Sequence, residues 1–144
     1  MHEVSFDEAL ELIRAKDPRY ARDAYQFVRE ALDYTKRNLG REDRGCVRLH
    51  VTGQELLAGI RDFALTQFGP MAMAVFAEWG VHECRDFGEI VFNMVEFGLL
   101  AKTDKDSRAD FDGGYDFYEA FRRPFLPSSR QTKPVAAPAT SGGK

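Results

Sequence analysis

Apolar positions along the chain fall at helical spacing in five stretches, with polar or glycine punctuation between them. In the first, Phe6, Ala9, Leu10 and Ile13 recur at i, i+3, i+4 and i+7. They follow Ser5-Phe6-Asp7-Glu8, a capping box in which serine hydroxyl and glutamate carboxylate satisfy backbone donors at a helix start. Asp17-Pro18 supplies an N-cap and a proline at the first helical position, so a second helix is predicted to run to about Asn38, with Gly40 stopping it. Its stripe of Ala21, Ala24, Tyr25, Val28 and Leu32 is broadened by Tyr20, Phe27, Ala31 and Tyr34, a width that predicts packing on two sides.

Residues 41–48 have no period and carry Gly45, which reads as a loop. Thr52-Gly53-Gln54-Glu55 is a second capping box, and Leu56, Leu57, Ile60, Phe63, Ala64 and Phe68 carry an amphipathic helix to Gly69. Pro70 restarts a short apolar helix through Trp79, closed by Gly80. Asp86-Phe87-Gly88-Glu89 is a third capping box, opening a helix to Phe97 with Phe87, Ile90, Val91, Met94 and Val95 inward and Gly98 at C′. Three helices in about 45 residues joined by glycine turns outline a helix-turn-helix. Beyond them Leu99–Thr103 reads as a short strand, Asp112-Gly113-Gly114 as hairpin-turn chemistry, and Tyr115–Tyr118 alternates polar with aromatic residues. A hairpin there would complete a winged helix; the alternative is a helix continuing through Phe121. The predicted fold class is therefore mainly α: one five-helix domain over residues 1–127, winged-helix-like over about residues 50–121, then a disordered basic, proline-rich tail at 128–144.

Composition agrees with that outline. At 144 residues, 44% hydrophobic and 30% charged, the chain has the size and balance of a single globular domain. Cys46 and Cys84 cannot make a disulfide framework, Met1–Ser5 lack the basic and apolar regions of a signal peptide, and no apolar run approaches a membrane span. A cytoplasmic protein away from the membrane is expected. The net charge of −3 conceals segregation. Residues 70–121 carry four basic and eleven acidic side chains, residues 14–48 ten basic and six acidic, and residues 122–144 five basic and none acidic. Such separation steers polar partners.

Several segments resemble a family of small bacterial proteins from planctomycete and verrucomicrobial genomes: Asp17-Pro18-Arg19-Tyr20, Ala24-Tyr25, Phe27-Val28, His50–Leu57, Gln67–Met71, Trp79-Gly80, Asp86–Asn93, Asp106-Ser107-Arg108 and Asp110-Phe111. The resemblance covers roughly residues 6–127. It implies a bacterial origin and a shared fold, and carries over no activity, catalytic residue or binding residue.

As a recognition helix, the segment from Asp86 to Phe97 would set Asp86, Glu89 and Glu96 against phosphates with no Lys or Arg to read a base, so sequence-specific duplex DNA is disfavoured. A nucleic-acid contact, to RNA or a ribosome, would use Arg37, Arg41, Arg44, Arg48, Arg122, Arg123 and Arg130. Cys46, His50, His82 and Cys84 allow a zinc site to be drawn, although neither half has finger spacing. The alternative reading puts His50 at N″ of the third helix and the thiols in or near the core. The aspartates from Asp104 to Asp116 fail the EF-hand pattern: Arg108 stands at position 5, Ala109 at the turn glycine and Tyr115 at the bidentate glutamate.

No nucleophile elbow, phosphate-binding loop, dinucleotide fingerprint or zincin motif occurs, and no cofactor is expected. Gly53 and Gly59, inside a helix, point to close helix packing. Eighteen aromatics exceed what the core comfortably takes, which marks Tyr115, Phe117, Tyr118, Phe121 and Phe125 as a candidate partner-facing patch. The reading that follows is a non-catalytic protein-interaction module whose partner is a protein or ribonucleoprotein. Its rivals are a nucleic-acid binder and a metal-dependent enzyme.

Overall fold

In the computed structural model, which describes residues 5–41 and 49–127, two of the capping boxes close as the sequence predicts. Ser5 and Glu8 exchange bonds of 3.1 Å at the start of α1 (Phe6–Lys16), and Thr52 and Glu55 exchange bonds of 2.9 and 3.0 Å at the start of α3 (Gly53–Phe68). The remaining helices are α2 (Arg22–Asn38), α4 (Ala72–Glu78) and α5 (Cys84–Glu96).

Two helix starts differ from the prediction. Asp17 caps the C-terminus of α1, and its carboxylate is occupied by the Arg19 guanidinium at 2.7 and 2.8 Å, so it does not open α2. That helix starts four residues later behind Ala21, with no side-chain cap. In α5 the reciprocal box is Glu83 with Asp86, which places Asp86 at N3 and moves the start back to Cys84. The hairpin is also absent: among the described residues there is no strand, and Leu49 N–H to the Ala101 carbonyl, at 3.2 Å, is the bond that ties the 99–103 segment to Leu49. Phe117, Ala120 and Phe121 are buried while Glu119 is exposed, which is helical spacing rather than alternation. The chain accordingly makes a π-helical turn, Tyr118–Arg122, followed by a 3-10 turn, Arg123–Phe125, the helical alternative of the sequence reading. The tail expected at 128–144 lies outside the described residues.

The broad apolar face of α2 buries Ala24, Tyr25, Phe27, Val28, Ala31, Leu32, Thr35 and Lys36 and meets α3 on one side and α1 and α5 on the other. Approach to α3 is closest at Gly59, where an added methyl group would lie 2.8 Å from Thr35 Cβ. Gly53 makes a similar approach to Asp110, so both glycines serve helix packing. At Gly80, φ is 86° and a Cβ would run into the Arg19 carbonyl, which only glycine avoids. Enclosed by α2 and the 3-10 turn Arg108–Phe111, α5 leaves only Arg85 and Glu96 exposed.

Candidate functional site

The C-terminal aromatics separate into two groups. Phe121 (0% exposed) and Phe117 (5%) belong to the core, stacked around the fully buried ring of Phe76 at centroid distances of 5.2 and 5.7 Å. Tyr115 is half-buried, and its hydroxyl donates to the Leu57 carbonyl at 2.7 Å. Only Tyr118 and Phe125 remain exposed, so the five do not form one partner-facing patch. Burial of apolar surface around Phe76 claims Phe117 and Phe121, and Tyr115 packs against those two rings.

The basic and metal candidates also disperse. Arg41 is paired with Glu55 at 2.6 Å and donates to the His50 carbonyl, Arg123 is paired with Glu119 at 2.8 Å, and Arg37 and Arg122 are exposed. Arg44, Arg48, Arg130 and Cys46 lie outside the described residues. Cys84 is buried, its thiol donating to the Tyr115 carbonyl at 3.3 Å, and burial pushes that thiol above its usual range. His82 is exposed, and His50 sits at N″ of α3 with φ of 57°. Among the described residues no three histidine, cysteine, aspartate or glutamate side chains gather as a metal site. The aspartates of the acidic loop serve local structure instead: Asp106, Asp110 and Asp116 accept from the backbone N–H groups of Thr103, Ser107 and Glu119 at 2.9 to 3.1 Å.

A polar network joins the segment before α2 to α5. Asn93 Nδ2 donates to Asp17 and to the Tyr25 hydroxyl at 3.0 and 3.1 Å, and the Tyr20 hydroxyl donates to Asp86 at 2.7 Å. The second Asp86 oxygen accepts from the N–H groups of His82 and Glu83. The Arg19 guanidinium holds the Asp17 carboxyl well below the usual carboxylate range, with Asn93 adding to the effect. Burial pushes Tyr20 and Tyr25 up, and for Tyr20 its bond to Asp86 adds to the rise. Arg19 also reaches Glu89 at 3.2 Å, Arg108 approaches Glu89 at 3.4 Å, and Lys16 pairs with Glu96. The carboxylates of α5 are therefore partnered within the fold, an arrangement that fixes helices.

Among the described residues, a groove with room for a side chain lies where α2, α3 and the end of α4 meet. Asp23, Gln26, Phe27 and Glu30 stand at i, i+3, i+4 and i+7 along the α3 side of α2, which puts them in one line. Across from them α3 contributes Phe63, Gln67 and Phe68, and Trp79 closes the end. Trp79 is held in place because its carbonyl accepts from Ala21 N–H at 3.1 Å and Gly80 turns the chain immediately after it. Phe27, 4% exposed, is the floor, with the rings of Phe63, Phe68 and Trp79 at 5.4, 5.5 and 5.6 Å from its centroid. Those three rings are half-buried, and the groove they share encloses about 200 Å³. Its rim is polar: Gln26 Nε2 donates to Glu30 at 2.9 Å and so orients that carboxylate, while Asp23 stands exposed in the first turn of α2. Among the described residues no lysine or arginine lines it.

A second cleft, about 310 Å³, lies between the start of α3 and the 101–106 segment. Its charged groups are of mixed sign and several are already engaged, Arg41 by Glu55 and Asp106 by Thr103.

The sequence reading assigned Phe27, Phe63 and Phe68 to inward stripes and so did not single out the groove; the available signal was the surplus of aromatics, which it placed near the C-terminus. Compared with family models, curated proteins and solved structures, the chain matches none.

Proposed function

We propose that the chain is a non-catalytic interaction module that docks a partner protein on the α2–α3 groove. The observation that carries this reading is the groove itself: three half-buried aromatic rings around the buried ring of Phe27, beneath a polar rim, in a fold whose buried side-chain polar atoms all have partners among the described residues. Aromatic clusters with polar rims are the composition of interface centres, where a few rings contribute most of the binding energy. α5 is packed against α2 and the Arg108–Phe111 turn, which favours a protein partner over duplex DNA.

The test compares two baits purified from the native cell with and without nuclease treatment, the wild type and Asp23→Arg/Glu30→Arg. Both substituted residues are exposed, so the fold is expected to survive, which thermal unfolding would check. The expected result is a protein retained by the wild type and lost from the variant. Identical sets on both baits, or retention that disappears with nuclease alone, would overturn the reading, the second result in favour of a nucleic-acid partner.

A further inference from the structure

Resting on that reading, the chemistry of the groove specifies what enters it. A volume of about 200 Å³ is below the range of roughly 300–1,000 Å³ typical of small-molecule pockets, so it suits one side chain of a partner better than a free metabolite. The floor and walls are aromatic rings, and the quadrupole of an aromatic face attracts cations. Both charged side chains on the rim are carboxylates, Asp23 and Glu30, separated by two turns of α2, about 10 Å, on either side of Phe27. The potential over the rings is negative from both sources.

Two features select among cations. The rim offers acceptors at four positions, Asp23, Glu30 and the amides of Gln26 and Gln67, and a quaternary ammonium has no N–H to use them. A lysine ammonium is strongly hydrated and does not stack, whereas a guanidinium is planar, weakly hydrated and carries five N–H donors around a face that lies flat on an aromatic ring. We propose that the groove is an arginine-reading subsite: a partner protein seats one arginine side chain over Phe27, its face against the surrounding rings and its N–H groups toward the carboxylates of Asp23 and Glu30.

The test is an NMR titration of the full chain with N-acetyl-arginine methylamide, followed at the Trp79 indole N–H, the Gln26 and Gln67 side-chain amides and the phenylalanine ring signals. Citrulline, the neutral isostere, and the lysine, leucine and glutamate methylamides are run in parallel with tetramethylammonium. The arginine probe is expected to shift the groove signals with a dissociation constant on the order of millimolar, about 5- to 30-fold tighter than citrulline, the factor set by a cation–π contact of about 1–2 kcal/mol. Added salt is expected to weaken it. Asp23→Asn/Glu30→Gln is expected to weaken arginine and leave citrulline unchanged, arginine keeping only the advantage that its contact with the rings gives. Equal responses to arginine and citrulline, or to tetramethylammonium, would overturn the arginine assignment. Shifts with leucine or glutamate alone would overturn it while keeping the groove as a docking site, and silence from every probe would overturn both. Groove shifts in the ligand-free protein on Arg130→Gln would make this chain's own basic C-terminal segment the occupant and overturn the partner assignment.

Discussion

Gly59→Ala is a substitution that helix propensity favours and this fold opposes. Gly59 lies in the middle of α3, where alanine raises intrinsic helix stability by about 1 kcal/mol. The added methyl would lie 2.8 Å from Thr35 Cβ and 3.1 Å from its Cγ2, and closer still to the hydroxyl oxygen. Thr35 has little room to give: it is 3% exposed, and its hydroxyl donates to the Ala31 carbonyl at 2.7 Å. As a β-branched residue in a helix it has few rotamers to choose from. The strain therefore falls on the α2–α3 seam, which must open and lose contact along its length. Overpacking of this kind costs about 1–3 kcal/mol, and a methyl this deeply placed belongs at the upper end. After the propensity gain, a net destabilisation of about 1–2 kcal/mol is expected, with a Tm lower by about 4–8 °C.

Denaturant unfolding followed by far-UV circular dichroism measures the effect, and a double-mutant cycle with Thr35→Ala isolates its cause. Removing the threonine hydroxyl and methyl relieves part of the clash, so the double variant is expected to be at least about 1 kcal/mol more stable than the two single effects predict. Gly59→Ala at or above wild-type stability, or additivity within about 0.5 kcal/mol, would refute the close approach of the two helices.

Three further outcomes follow from the polar network and the core. Because the Asp17 carboxyl is depressed in the folded state, its contribution is present above the unfolded value of 3.8 and lost as pH falls through the folded value. The stability gap between wild type and Asp17→Asn, about 1 kcal/mol once the exposure of Arg19 is allowed for, is therefore expected at neutral pH and to close below about pH 4; a gap that stays constant in acid would contradict the assignment. Burial raises Tyr20, Tyr25 and Tyr115 in the folded state above the ordinary tyrosine value of 10.0, so their stabilisation is present below that pH and lost as pH rises above it. Their ultraviolet ionisation signal is expected to appear together with loss of helix, and full ionisation of a still-helical protein would count against it. With Cys46 replaced by serine, the remaining thiol, Cys84, is expected to react with a disulfide reagent only on unfolding, and stoichiometric reaction of the native protein would show the site to be open.

The helices were legible where the signal was local and unshared. Ser5-Glu8 and Thr52-Glu55 each close a box within four residues, so no distant contact decides them. Asp17 was misread for the opposite reason: its sequence context is that of an N-cap, but Arg19 and Asn93, the latter 76 residues away, take the carboxylate. Tyr115–Tyr118 was ambiguous because two or three positions fit a period of 2 and of 3.6 equally well. From Phe117 onward the chain is helical because Phe76 and Phe87 offer a surface that receives Phe117 and Phe121 together, at i and i+4, while Tyr115 and Asp116 belong to neither element.

The groove was harder to read because segment charge hid its sign. Residues 14–48 are net basic, which drew attention to arginines, yet the two carboxylates of the rim lie inside that segment. On α2, Arg22 and Arg29 precede Asp23 and Glu30 by one residue each, and one residue is about 100° of rotation. The arginines turn toward α1, Arg22 pairing with Asp7 and Arg29 lying 4.5 Å over the Phe6 ring. The carboxylates turn toward α3 and its phenylalanines. A single helix thus shows opposite signs to its two neighbours while its sum reads as basic. What a partner meets is the sign of one face, and that is why an arginine is expected on a helix whose own sequence is rich in arginine.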